Sequence, residues 1–221
     1  SRTAVGSDSA RQRRTSYDRF FRRSSSLGVD YDSWPASLGY LMPAEWETHS
    51  ATWLSWPHNA KTWPGALPAA ETAMASIVEA LSESETVRIN VIDESHERHV
   101  AGLLRGRASP DAIIFHRFPT NDAWCRDYGA IFLTRDHRDA SLMALSFEYN
   151  AGGEKYPPFD LDRAIPRAMA KALSVPRFAP GMVLEGGAID VNGAGALLTT
   201  ERCLLNPNRN PTLDRTAIEG R

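Results

Sequence analysis

Between two β-prone runs, residues 112–118 and 130–134, the chain reads Thr120-Asn121-Asp122-Ala123-Trp124-Cys125-Arg126-Asp127-Tyr128-Gly129. Three charged groups, an indole, a thiol and a phenol fall within residues 122–128. Pro119, Asn121, Asp122 and Gly129 supply turn chemistry, so this cluster sits where one strand ends and the next begins. Loops held at the ends of strands are frequent sites of binding and catalysis. A carboxylate beside an indole suits a planar cation: it takes two parallel N–H bonds from a guanidinium while the ring stacks on it. Asp122 and Asp127 can both line such a pocket from a loop. The same residues also fit an internal salt bridge between Arg126 and one aspartate, with Trp124 in the core.

Around this loop, short strands alternate with helices. Residues 51–56 read as a buried strand, and residues 69–81 as a helix with Pro68 in its first turn and Met74, Ile77, Val78 and Leu81 as its core stripe. Residues 86–92 form a β-branched strand, and residues 95–105 a helix that stops at Gly106. A hairpin spans 131–134 and 141–147 around residues 136–139, and a third helix covers 161–173. A second hairpin joins 188–191 to 196–200 over Asn192-Gly193. Asp214 caps a last helix.

Composition bounds the function classes. The chain has 221 residues with 42% hydrophobic and 24% charged, a balance that fits one core or slightly more. No apolar run approaches the ~20 residues that cross a bilayer, so no membrane partner is expected. Residues 1–26 hold seven arginines against Asp8 and Asp18, net +5, which leaves −7 for the rest of an overall −2. Composition assigns residues 1–38 to an Arg/Ser-rich disordered tail and 39–221 to the folded domain. The tail faintly resembles an organelle transit peptide without its amphipathic pattern. No folded basic patch accompanies it, so no nucleic-acid partner is expected. Two cysteines, Cys125 and Cys203, make no disulfide framework and point to a reducing, cytoplasmic setting. They make no zinc site either. His96 and His99 lack a third ligand, so no metal and no cofactor are expected.

Glu185 precedes Gly186 and Gly187, where missing side chains let a carboxylate approach a ligand closely. A turn glutamate in solvent fits the same residues.

Four ordered motifs carry a resemblance: Met42-Pro43-Ala44-Glu45-Trp46-Glu47; Asn121 to Asp127; Leu184-Glu185-Gly186-Gly187-Ala188-Ile189-Asp190-Val191; and Leu197 to Pro211. Over about residues 40–221 the chain resembles agmatine deiminases, in the broader family that includes Porphyromonas-type peptidylarginine deiminases. It departs from the pattern at Gly152, where the family usually has Trp, and at Ala130, where it usually has Pro. The resemblance implies an α/β fold, the pentein propeller of ββαβ units, incomplete in this chain. It implies metal-free hydrolysis of the guanidino group of agmatine through a cysteine thiouronium intermediate. It maps a catalytic role onto Asp127 and Glu185 and substrate binding onto Trp124 and Asp127; Asp122 stays a substrate-binding candidate from its place in the loop, although capping of the loop is the role more expected of it. The partner implied is a small-molecule guanidine, with a homodimer left open. The nucleophile and a histidine are expected beyond residue 221, with Cys203 in a structural strand. Cys125 is the nucleophile that spacing alone would pick, because on a strand-like backbone it shares a face with Asp127. The other outcomes are a deiminase of peptidyl-arginine or another guanidine, and a non-catalytic binding protein.

Overall fold

The computed structural model describes residues 33–138 and 141–221. Residues 1–32 of the Arg/Ser-rich tail, and residues 139–140 of the expected hairpin connection, lie outside the described residues. Residues 35–38, the last of the segment assigned to the tail, form a 3-10 turn with Pro35 buried, and the Trp34 ring meets Phe178 at 5.1 Å.

Among the described residues, three small sheets follow one another. The first comprises β1 (Ala51–Ser55), β2 (Thr86–Val91) and β3 (Ile113–Arg117), paired in parallel in that order. Its connections are α1 (Leu67–Leu81) and α2 (Glu94–Leu104). A strand followed by a helix returns in the same direction, which gives βαβαβ here. The second sheet comprises β4 (Ile131–Thr134), β5 (Leu142–Leu145) and β6 (Arg177–Phe178). β4 and β5 form the expected hairpin, and β6 joins β5 in parallel after α4 (Asp160–Leu173), so this unit is a complete ββαβ. The hairpin of β7 (Ile189–Val191) and β8 (Leu197–Thr199) makes the third sheet. Between β3 and β4 lies α3 (Cys125–Tyr128); α5 (Glu201–Leu204) and α6 (Arg215–Glu219) close the chain.

The helix boundaries follow their caps. Asp93 accepts from His96 N at 2.9 Å to start α2, and Asp214 accepts from Ala217 N at 2.8 Å to start α6. Pro68 lies in the first turn of α1. The stripe of α1 is rotated from the expected one: Ala75 and Val78 are buried while Ile77 is 48% exposed. The inward line takes a small residue because α1 packs closely on β2, whose Val87, Ile89 and Val91 are buried in the same cluster. Val183 makes a single parallel bridge to Glu148.

A second core cluster, Tyr128, Tyr149, Ile165 and Met169, fixes α4 beneath the 120–129 loop. The Ala130 N–H donates to the Met169 sulfur at 3.4 Å, a contact that proline could not make. From the first turn of α4, the buried Asp162 carboxylate accepts from Asn121 N at 2.7 Å and from Asp122 N at 3.4 Å. Asn121 Oδ1 accepts in return from Leu161 N at 2.9 Å. This reciprocal clamp sets the height of the loop above the helix.

Burial pushes the Asp162 carboxyl up to about 7, against the two N–H bonds that favour its charge. The folded pKa lies above the unfolded one. Folding therefore takes up a proton in between, and the stability this group contributes is fullest below 3.8 and declines as pH rises towards about 7. Asp162→Asn keeps an acceptor oxygen and should flatten that slope, whereas Asp162→Leu leaves two half-buried N–H groups without their acceptor, at a cost of about 1–3 kcal/mol. Urea unfolding across this pH range measures both. Parallel stability curves for the wild type and Asp162→Asn would show the carboxyl ionising normally.

Candidate active site

The polar stretch folds as one helical turn, α3, that begins directly after Trp124. This overturns the strand-like reading of Cys125 and Asp127. Residues two apart on a helix point to nearly opposite sides. The Cys125 thiol turns inward, 4.0 Å from Asn90 Nδ2, and burial pushes it up to about 12. Asp127 turns outward into a cavity of about 250 Å³. Tyr128 is buried and donates from its hydroxyl to Asp122 O at 2.7 Å, closing the turn.

The opposite wall is Glu185-Gly186-Gly187. Glu185 is buried and lines the same cavity as Asp127. The two glycines do make a close approach possible, but to the chain itself. A Cβ on Gly186 would lie 2.4 Å from Arg126 O, and one on Gly187 would lie 2.2 Å from Asp127 Oδ1. The Gly187 N–H bonds the Asp127 carboxylate. Burial first, and then the neighbouring Glu185 charge, hold the Asp127 carboxyl above its ordinary range, while the Gly187 N–H and Arg126 pull it down.

Trp124 is 46% exposed, lines the cavity, and stacks on Trp63 with ring centroids 5.9 Å apart. It is a surface of the site and not core. Arg126 pairs with Glu45 and donates to Ile189 O at 3.4 Å, so its ion pair is with the Met-Pro-Ala-Glu motif rather than with either aspartate. Asp122 lies outside the cavity lining. One oxygen accepts from the Thr62 hydroxyl and the other from Ala123 N at 2.7 Å, so it shapes the loop.

Two residues were not singled out for the site from sequence. Arg209 lines the cavity and pairs through Nε with Glu185 Oε1 at 2.9 Å. A lone arginine in an Asn-Pro turn carries no periodic signal of where it points. Cys203, expected on a strand, sits in the turn α5, where Thr200 caps it, and faces the cavity. Its neighbours brace the wall. Asn210 accepts from Val183 N at 2.8 Å and donates to Val183 O at 2.9 Å, pairing like a strand two residues before Glu185. The cavity therefore offers two carboxylates, a guanidinium, an indole face and a thiol, with no histidine in its lining. That set can hold and orient a cationic, planar ligand.

The two glycines give different expectations. Gly186→Ala meets a backbone carbonyl and should cost about 1–3 kcal/mol of stability. Gly187→Ala meets the end of a side chain, which can swing away, and should cost less stability while displacing Asp127. Thermal unfolding of both variants checks this; equal melting points would contradict the packing described.

The Porphyromonas-type peptidyl-arginine deiminase family model matches residues 41–221. Among curated relatives, the agmatine deiminase of Pseudomonas syringae pv. tomato is 36% identical over 193 residues, covering 85% of this chain and 50% of that protein. That of Medicago truncatula is 33% identical over 195 residues, covering 84% and 50%. The solved agmatine deiminase of Enterococcus faecalis superposes with a TM-score of 0.75 at 31% identity, covering 85% of this chain and 51% of that one. The chain spans about half the length of the relatives it matches. With the family model spanning its four motifs and both walls of its cavity, the chain belongs to the Porphyromonas-type peptidyl-arginine deiminase family.

Proposed function

We propose that this chain forms the substrate-holding part of an agmatine deiminase, which hydrolyses the guanidino group of agmatine to N-carbamoylputrescine and ammonia on the route to putrescine. The observation that carries this reading is the convergence of Asp127 and Glu185, from α3 and the Glu-Gly-Gly turn, on one cavity beside the exposed Trp124. A guanidinium offers five N–H donors in a plane, which suits two carboxylates and an indole face. Relatives named agmatine deiminases, at 33–36% identity, support the substrate class.

In this reading a cysteine thiolate adds to the guanidinium carbon, ammonia leaves from the tetrahedral adduct, and water then hydrolyses the thiouronium. Asp127 and Glu185 hold the cation so that its carbon faces the thiolate, and their charge stabilises the planar cationic intermediate. Cys125 does not suit the attack, because its thiol is buried behind α3 and held protonated. The nucleophile and its histidine acid–base partner are assigned to sequence outside residues 1–221. The placement of Cys203 in the cavity lining favours one other reading, in which Cys203 attacks instead. The free thiols of Cys125 and Cys203 accord with a reducing, cytoplasmic setting.

Ammonia release from agmatine by the full-length reading frame, with EDTA present, tests the reading; turnover of peptidyl-arginine in preference to agmatine would overturn the substrate. Asp127→Asn should cost about 2–4 kcal/mol in kcat/KM. Asp122→Asn keeps an acceptor for Ala123 N and should cost less than about 1 kcal/mol. Equal losses would undo the assignment of Asp127. Cys203→Ser should retain most of the rate, and its loss would transfer the nucleophile to Cys203.

A further inference from the structure

The cavity holds a guanidinium of its own. Arg209 gives its Nε to Glu185 Oε1 at 2.9 Å, and its Nη1 to Gly152 O at 2.7 Å and Asn208 Oδ1 at 2.9 Å. The pair is nearly enclosed, with side chains 12% and 10% exposed. A fork of fixed donors that meets a carboxylate with one limb and a peptide carbonyl with another leaves neither partner much freedom.

That peptide carbonyl belongs to an unusual segment. Ala151, Gly152, Gly153 and Glu154 have φ of 49°, 72°, 84° and 63°, four left-handed residues in succession. Ala151 and Glu154 carry side chains that disfavour this backbone. Such a segment persists only where its surroundings over-determine it, and such strain collects at functional sites. Here the Asn150 carboxamide accepts from Gly153 N at 3.0 Å, and the rest of the grip comes from the 208–209 segment. Arg209 binds Gly152 O, and Asn208 O accepts from Asn150 Nδ2 at 2.9 Å. A Cβ on Gly153 would collide with the Asn208 side chain at 2.3 Å, so the turn and the 208–209 segment are in full contact.

We propose that Arg209 is a positioning residue that clasps one oxygen of the Glu185 carboxylate to the left-handed turn 151–154, so that Glu185 meets the substrate cation at a fixed angle and with its charge partly compensated, beside Asp127. This deepens the deiminase reading and rests on it. Three charged groups bear on Asp127: Glu185 from the Glu-Gly-Gly turn, Arg126 from its own turn, and Arg209 through Glu185. The Gly187 N–H also bonds it. Arg126 is itself engaged with Glu45. Without Arg209, the buried Glu185 charge would stand uncompensated beside Asp127. Two neighbouring carboxylates resist joint ionisation, so Asp127 would lose its proton only at higher pH. Since a cationic ligand needs Asp127 ionised, the acid limb of binding would move up.

The test compares the full-length wild type with Arg209→Gln and Arg209→Lys, measuring agmatine Kd by calorimetry and kcat by ammonia release across pH. Arg209→Gln should shift the acid limb of binding upward by about one pH unit and weaken binding about tenfold on that limb. Arg209→Lys restores the charge without the fork, so the limb should return near its wild-type position while kcat stays reduced, because Glu185 is no longer held at the right angle. If Arg209→Gln fails to fold, a reduced kcat with an unmoved limb in Arg209→Lys carries the proposal. A limb that stays in place in Arg209→Gln, a limb that moves equally in both variants, or wild-type kcat in Arg209→Lys overturns it. A wild type that neither binds nor hydrolyses agmatine defeats the deiminase reading instead, and the clasp falls with it as a device for that substrate.

Discussion

The site depends on one close contact, that of the Gly186-Gly187 backbone with the turn that carries Arg126 and Asp127. At either glycine a single added carbon would lie within 2.4 Å of the facing turn. This contact brings into one cavity two carboxylates that are 58 residues apart in sequence, Asp127 and Glu185. The Gly187 N–H then bonds Asp127, so the same contact that sets the spacing also supports the charge.

The electrostatics follow from this geometry. Burial opposes ionisation of Asp127, and Glu185 opposes it further. Each buried carboxylate needs compensation, and the chain supplies it unequally. Glu185 has Arg209, whereas Asp127 has an N–H group and the half-share of an arginine committed to Glu45. A cation entering the cavity therefore gains most at Asp127. The deeper Asp162 is a different case. It faces peptide N–H groups in the interior and serves the loop, where its proton tracks folding rather than binding.

Much of this was legible in sequence, for identifiable reasons. The amphipathic period of residues 69–81, the helical run 161–173 and the cap at Asp214 are local signals, and the helices lie where they indicate. The ordered motifs marked Trp124, Asp127 and Glu185, which the structure brings to one cavity. What sequence could not reveal was non-local. The turn Cys125–Tyr128 is too short for any helical period, so Cys125 and Asp127 read as sharing a face that helical geometry denies them. The partner of Arg126 lies 81 residues away, at Glu45. The loop-capping contact of Asp122 with Ala123 N is local and expected, but its hydroxyl partner Thr62 lies in a distant segment. Arg209 and Cys203 reach the cavity from a segment that Asn210 ties to the distant Val183.

The claim that Asp127 and Glu185 together cradle a guanidinium is tested most directly by a crystal structure of the full-length protein with agmatine bound. The account predicts guanidinium nitrogens within about 3 Å of the Asp127 and Glu185 carboxylate oxygens, with the Trp124 indole alongside and Arg209 still on Glu185. A guanidinium bound away from both carboxylates, or one that displaces Arg209 from Glu185 while leaving Asp127 empty, would contradict it.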